Sequence, residues 1–208
     1  MRSIKTKLFS LGMAAAMLLA LGGCAMSTPA NVGSIGGVEI PAGVYLLAQY
    51  NSYNTASGLA KLATGETASD VKAVLKAECT GTINGEEVTT DGADYVSQLT
   101  TRAIEYYAAV EKEFDELGGT LDDAATAEAA NSADSLWSSN GDLYTANGIS
   151  KSTVETYLLN AQKAKTILNL TYGADGTTPV TEAEYTDYVN NDCYYVETVQ
   201  FPLVNYSS

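Results

Sequence analysis

The sequence predicts a mainly α fold with a short strand hairpin near the N-terminal end and a β-strand near the C-terminal end. Two long stretches carry the helical reading. Val96, Leu99, Ala103, Tyr106 or Tyr107, Val110, Phe114 and Leu117 recur every three or four residues, and so do Val154, Tyr157, Leu158, Ala161, Ala164, Ile167 and Leu168. β-prone alternation is concentrated near the two ends, at 34–41 and 194–201.

In chain order, Arg2, Lys5 and Lys7 precede an almost wholly apolar run from Leu8 to Leu21. That run is shorter than the roughly 20 residues a bilayer-spanning helix needs, so a cleaved export signal is expected over 1–23. It ends in Leu21-Gly22-Gly23-Cys24. Residues 24–33 are small and polar with Pro29, the composition of a flexible tether. Gly36-Gly37 between short β-prone pieces predicts a hairpin, and Pro41 suits the first turn of a helix reaching about Ala63.

The stretch 64–90 gives no firm assignment beyond a turn at Asn84-Gly85. Asp91 can cap the strongest helix, and Gly118-Gly119 can end it. A third helix is expected from Leu121 to about Ser138, started by Thr120 and stopped before Asn140-Gly141. Ser150 can cap a fourth, ending at Gly173, and Thr181 with Glu184 forms a capping box for a last short helix. The strand after it, from Tyr194, cannot satisfy its own hydrogen bonds. It must join the early hairpin or a sheet further along, and the second is the expectation. The domain division is then 34–180 for a helical domain and 181–208 for a linker helix plus the first strand of a further, absent domain.

Composition narrows the chemistry. Formal charge is −14, and loss of Arg2, Lys5 and Lys7 with the leader would make it more negative. So acidic a surface repels phosphate backbones, which argues against nucleic acid as a partner. There is no histidine, which removes Ser-His-Asp and Cys-His catalysis and imidazole zinc sites. Glu86-Glu87, Asp122-Asp123 and Glu182 with Glu184 read as solvated charges, two of the three pairs at helix starts. The Asp and Asn residues at 140–147 and 175–177 lack an EF-hand pattern, and no glycine spacing fits a nucleotide loop. No cofactor, metal or catalytic residue is assigned. Cys79 and Cys193 are either a disulfide or two unpaired thiols, a choice the sequence leaves open.

Leu21-Gly22-Gly23-Cys24 resembles the lipobox of bacterial lipoproteins. The resemblance implies diacylglyceryl attachment at Cys24, cleavage before it, and a lipid-anchored position on the extracytoplasmic face of a membrane. The later order of elements resembles the extracytoplasmic foldases: lipoproteins of the PrsA type and the helical N-terminal part of SurA-type chaperones. It rests on Val32-Gly33-Ser34-Ile35-Gly36-Gly37-Val38-Glu39-Ile40-Pro41, on Thr181-Glu182-Ala183-Glu184-Tyr185, and on 194–201. It implies a SurA N-terminal-like helical domain binding unfolded or nascent secreted polypeptides.

In that family the strand matching 194–201 opens a parvulin isomerase domain and carries a histidine where Thr198 stands. A parvulin site is therefore not transferred to this chain. Sequence-tolerant client contact suits tyrosine, of which there are 14 against 3 Phe, including Tyr144, Tyr172, Tyr185, Tyr188, Tyr194 and Tyr195. Tyr106, Tyr107, Trp137 and Tyr157 are the expected client contacts. The alternatives are a helical lipoprotein acting as a structural, docking or solute-binding module, or the non-catalytic part of a longer peptidyl-prolyl isomerase.

Overall fold

A computed structural model describes residues 30–61, 68 and 70–199; Cys24 and the leader lie outside the described residues. From Asn31 onward the order is β1 (Asn31–Ile35), β2 (Val38–Pro41), α1 (Ala42–Leu59), α2 (Val71–Lys76), β3 (Glu78–Ile83), β4 (Glu86–Asp91), α3 (Gly92–Glu116), α4 (Asp123–Ala146), α5 (Lys151–Tyr172) and α6 (Glu182–Asp192). The fold is mainly helical, with two small antiparallel sheets, each a single hairpin.

Both hairpin turns place two consecutive residues at positive φ, as tight right-twisted connections require. They are Gly36 (59°) with Gly37 (90°) and Asn84 (55°) with Gly85 (81°). The β3–β4 ladder is unbroken from Glu78↔Asp91 to Ile83↔Glu86, whereas β1–β2 is irregular between Asn31 and Gly33. Alternation in β3 buries Cys79 and Ile83, while exposed Thr80 and Thr89 place their hydroxyls 2.9 Å apart across the ladder.

Side-chain oxygens start most of the helices by accepting from orphan backbone N–H groups. Asp91 accepts from Asp94, Asp122 from Ala125 and Ser150 from Thr153, at 2.9, 2.7 and 3.1 Å. Thr181 and Glu184 form the full reciprocal box.

The helices pack through two apolar clusters. In the first, the end of α1 meets α2, β3 and the start of α3 around Ala56, Val74, Cys79, Ile83 and Tyr95. In the second, α1 meets the α4–α5 pair around Leu47, Ala133, Tyr144, Ile149 and Val154. α4 and α5 run antiparallel, bridged by Lys151 to Asp134 and by Lys165 to Glu128 at 2.9 Å. α5 also packs on α3.

The structure departs from the sequence expectations in five places. The strand begins at Asn31, so 31–33 belong to the hairpin and not to the tether. α1 ends at Leu59, where the Ala60 N–H bonds to the Ala56 carbonyl; the expected end near Ala63 falls outside the described residues. The unassigned stretch contains α2, β3 and most of β4. α4 is capped by Asp122 and not Thr120, and it runs through Asn140-Gly141 to Ala146. Finally, the expected C-terminal strand is not formed over 193–199, which has no regular structure and pairs with neither hairpin. The rest of the expected 181–208 segment, from residue 200, lies outside the described residues.

Candidate functional site

The four expected contact residues divide sharply. Tyr106 and Tyr107 are adjacent on α3, hence about 100° apart around the helix. Tyr106 is 60% exposed, and Tyr107 is buried. Burial, reinforced by the nearby Glu111 carboxylate, pushes the Tyr107 phenol up to about 12. Tyr107 is therefore a core residue in this conformation.

Tyr107 belongs to a clamp that fixes α5 on α3. Asn160 is buried, and its Nδ2 donates to the Tyr107 carbonyl at 3.1 Å and to Glu111 Oε1 at 2.8 Å. Lys163 Nζ donates to Glu111 Oε2 at 2.6 Å and lies 5.3 Å from the centre of the Phe114 ring. Glu111 thus has a donor on each oxygen, which offsets the cost of placing a half-buried carboxylate between two helices.

Trp137 and Tyr157 both pack half-buried against the second apolar cluster, where Tyr144 lies 6.1 Å from Trp137 and 5.7 Å from Tyr50 between ring centres. Burial, and after it Tyr106, pushes the Tyr157 phenol up. Trp137 contributes to the core between α1 and α4, and Tyr107 contributes to the clamp.

Most of the exposed aromatic surface lies later in the chain. Tyr172, Tyr185, Tyr188, Tyr194 and Tyr195 are 53–95% exposed, together with Val180, Val189, Val196 and Val199. No residue of α6 is buried, and among the described residues it has no extensive packing on another element. One signal for this was available in the sequence: these tyrosines follow the last long apolar stripe and lie among acidic residues with no lysine or arginine between them.

The described residues include shallow, open grooves along two helices. One runs along α4 past Ala124, Ala127, Asn131, Ser135 and Leu136, and the other along α6 past Glu182, Ala183, Thr186, Asp187 and Asn190. Neither contains any of the four expected aromatics. Both cysteines are free: Cys79 is buried with its thiol toward the Ala56 carbonyl at 3.6 Å, and Cys193 is exposed. Burial, followed by the Asp91 charge, pushes the Cys79 thiol up, so it is a packing residue with weak thiolate character. Among the described residues no helix is long and apolar enough to cross a membrane, and no group of three or more acidic or cysteine side chains is arranged to hold a metal.

Compared with known proteins, the chain matches no family model, no curated protein and no solved structure.

Proposed function

We propose that this chain is a membrane-tethered extracytoplasmic chaperone that holds unfolded secreted polypeptides. The observation that supports the reading best is the run of solvent-facing tyrosines and valines from Tyr172 to Val199 on an otherwise acidic protein. A holding chaperone needs apolar surface open to solvent, with enough charge to stay soluble while presenting it. Tyrosine suits this because its ring packs on any apolar side chain while its hydroxyl stays hydrated. The leader ending at Cys24 supplies the anchor in this reading: lipid on the cysteine keeps the helical body at the membrane face where exported chains emerge. The resemblance of the sequence motifs at 32–41 and 181–185 to PrsA-type and SurA-type foldases favours the same reading. No isomerase chemistry is assigned to 1–208, which contain no histidine.

The test is an aggregation assay with a chemically unfolded client, run beside a proline-isomerisation assay. The protein in excess should slow aggregation while isomerisation proceeds at its uncatalysed rate. Unchanged aggregation at excess protein would reject the reading. Metabolic labelling with a fatty acid should mark the wild type and not Cys24→Ser.

One observation favours a second reading, a docking module. The groove along α4 is lined mainly by small side chains and contains none of the expected aromatics, a shape suited to close approach by a helix. A protein that leaves aggregation unchanged but captures a folded partner through Ala127→Trp-sensitive contacts would fit that reading instead.

A further inference from the structure

α6 has an apolar stripe that the described residues leave uncovered. Tyr185, Tyr188 and Val189 fall at i, i+3 and i+4, and all three face solvent. Helical periodicity puts Glu182 and Asp192 on the same stripe, one at each end. The helix is nonetheless well formed at its start, because Glu184 accepts from the Thr181 N–H at 2.9 Å and from its hydroxyl at 2.8 Å. Beyond it the chain is extended, with Tyr194 and Tyr195 almost fully exposed.

The charge around this surface has one sign. From residue 166 to the end of the sequence there is no lysine or arginine, while Asp175, Glu182, Glu184, Asp187, Asp192 and Glu197 all occur there. The helical body differs, since Lys112, Lys151, Lys163 and Lys165 each neutralise a carboxylate across or along helices. Rings with carboxylates at both ends of the stripe, in a stretch of sequence without lysine or arginine, are complementary to Lys and Arg side chains. Those can lie over the ring faces and reach the carboxylates at the same time. Anionic lipid and a second copy of so acidic a chain are disfavoured by the same field.

We infer that α6 and the extended segment after it, 181–199, form a docking surface for cationic stretches of unfolded polypeptide, in which Lys or Arg alternates with apolar residues. The inference rests on the chaperone reading for the unfolded state of the occupant, and it adds the class of client segment recognised.

The experiment uses the full chain in nonionic detergent and three labelled peptides of equal length and apolar content, bearing Lys and Arg, Gln, or Glu. Fluorescence anisotropy should show the cationic peptide binding about tenfold tighter than the neutral one, and the anionic one weakest. The preference should shrink as salt rises. Tyr185→Ser with Tyr188→Ser, and separately Glu182→Lys with Asp192→Lys, should each remove most of the preference while leaving the circular dichroism of the body unchanged. Equal affinity for the three peptides, wild-type binding by both double variants, or self-association in place of peptide binding would overturn the inference. Aggregation assays separate it from the chaperone reading. Equal protection of clients with and without Lys and Arg would leave a chaperone and reject this surface. Charge-selective peptide binding without any protection would leave the surface and reject the chaperone.

Discussion

Tyr107 in α3 and Tyr188 in α6 each sit on the apolar stripe of an N-capped helix, yet one is buried and the other faces solvent. The difference lies in what else occupies the stripe. On α3 it runs from Tyr95 and Val96 through Ile104 and Val110 to Phe114, long enough to pack against α1 and α5. On α6 it is three residues long and ends in Glu182 and Asp192. Covering it with the body would strip water from two carboxylates in a stretch of sequence that brings no lysine or arginine of its own, a cost larger than the gain from two rings. A short stripe closed by charge stays on the surface, where a partner that brings its own cations can use it.

The largest expected effect tests the packed side of this contrast. Tyr95→Ala empties a fully buried site in the first cluster and should lower unfolding free energy by about 3–5 kcal/mol in urea titrations. Tyr188→Ala should stay within about 0.5 kcal/mol of wild type. Comparable losses in the two variants would break the contrast. Next comes the clamp: Asn160→Leu removes the side-chain donor that the Tyr107 carbonyl accepts in addition to its helical bond and leaves one half-buried Glu111 oxygen without its donor, and should cost about 1–3 kcal/mol in the same titration.

Alkaline pH sharpens the same point. Because Tyr107 keeps its proton up to about 12 when folded and only to its ordinary 10.0 when unfolded, the folded state binds more protons in between. Stability from this group is complete below pH 10 and is lost as pH rises toward 12, by roughly 2–3 kcal/mol. Tyr107→Phe should flatten that fall in a denaturation series read by circular dichroism. The α6 cap should give a smaller, local effect. Thr181→Ala is expected to cost that helix about 1 kcal/mol, seen as lost helical chemical shifts over 182–192 with an unchanged melting temperature for the body. The smallest concerns Glu128, whose carboxyl is held below its usual range by bonds from Lys165 and Gln162. Its contribution should be present above the ordinary carboxylate range and fade as pH falls through it, with Glu128→Gln shrinking the acid dependence only slightly.

Local signals made most helix starts legible. Asp91, Ser150, and Thr181 with Glu184 cap the helices they were expected to cap, because capping needs only residues within one turn. What escaped depended on distant contacts. Asn140-Gly141 reads as a stop, yet α4 continues through it: Gly141 leaves room for the Trp137 ring, from which a Cβ would be only 3.2 Å, and the following turn carries buried Tyr144 into the second cluster. The β3–β4 hairpin was hidden because short strands take their stability from what covers them, here α1 and α3. Choosing between Tyr106 and Tyr107 required knowing where Asn160 comes to rest. The β-propensity of 194–199 was readable, but the absence of a partner strand in either hairpin was not.

Hydrogen exchange on the intact chain, with and without an unfolded client bearing Lys and Arg, tests most directly the claim that the C-terminal segment recognises clients while the body supports it. The expected result is slower exchange over 177–199 when the client is present, with the α3–α5 clamp around Asn160 unchanged. Protection confined to α4 or to the body, or no protection at saturating client, would contradict it.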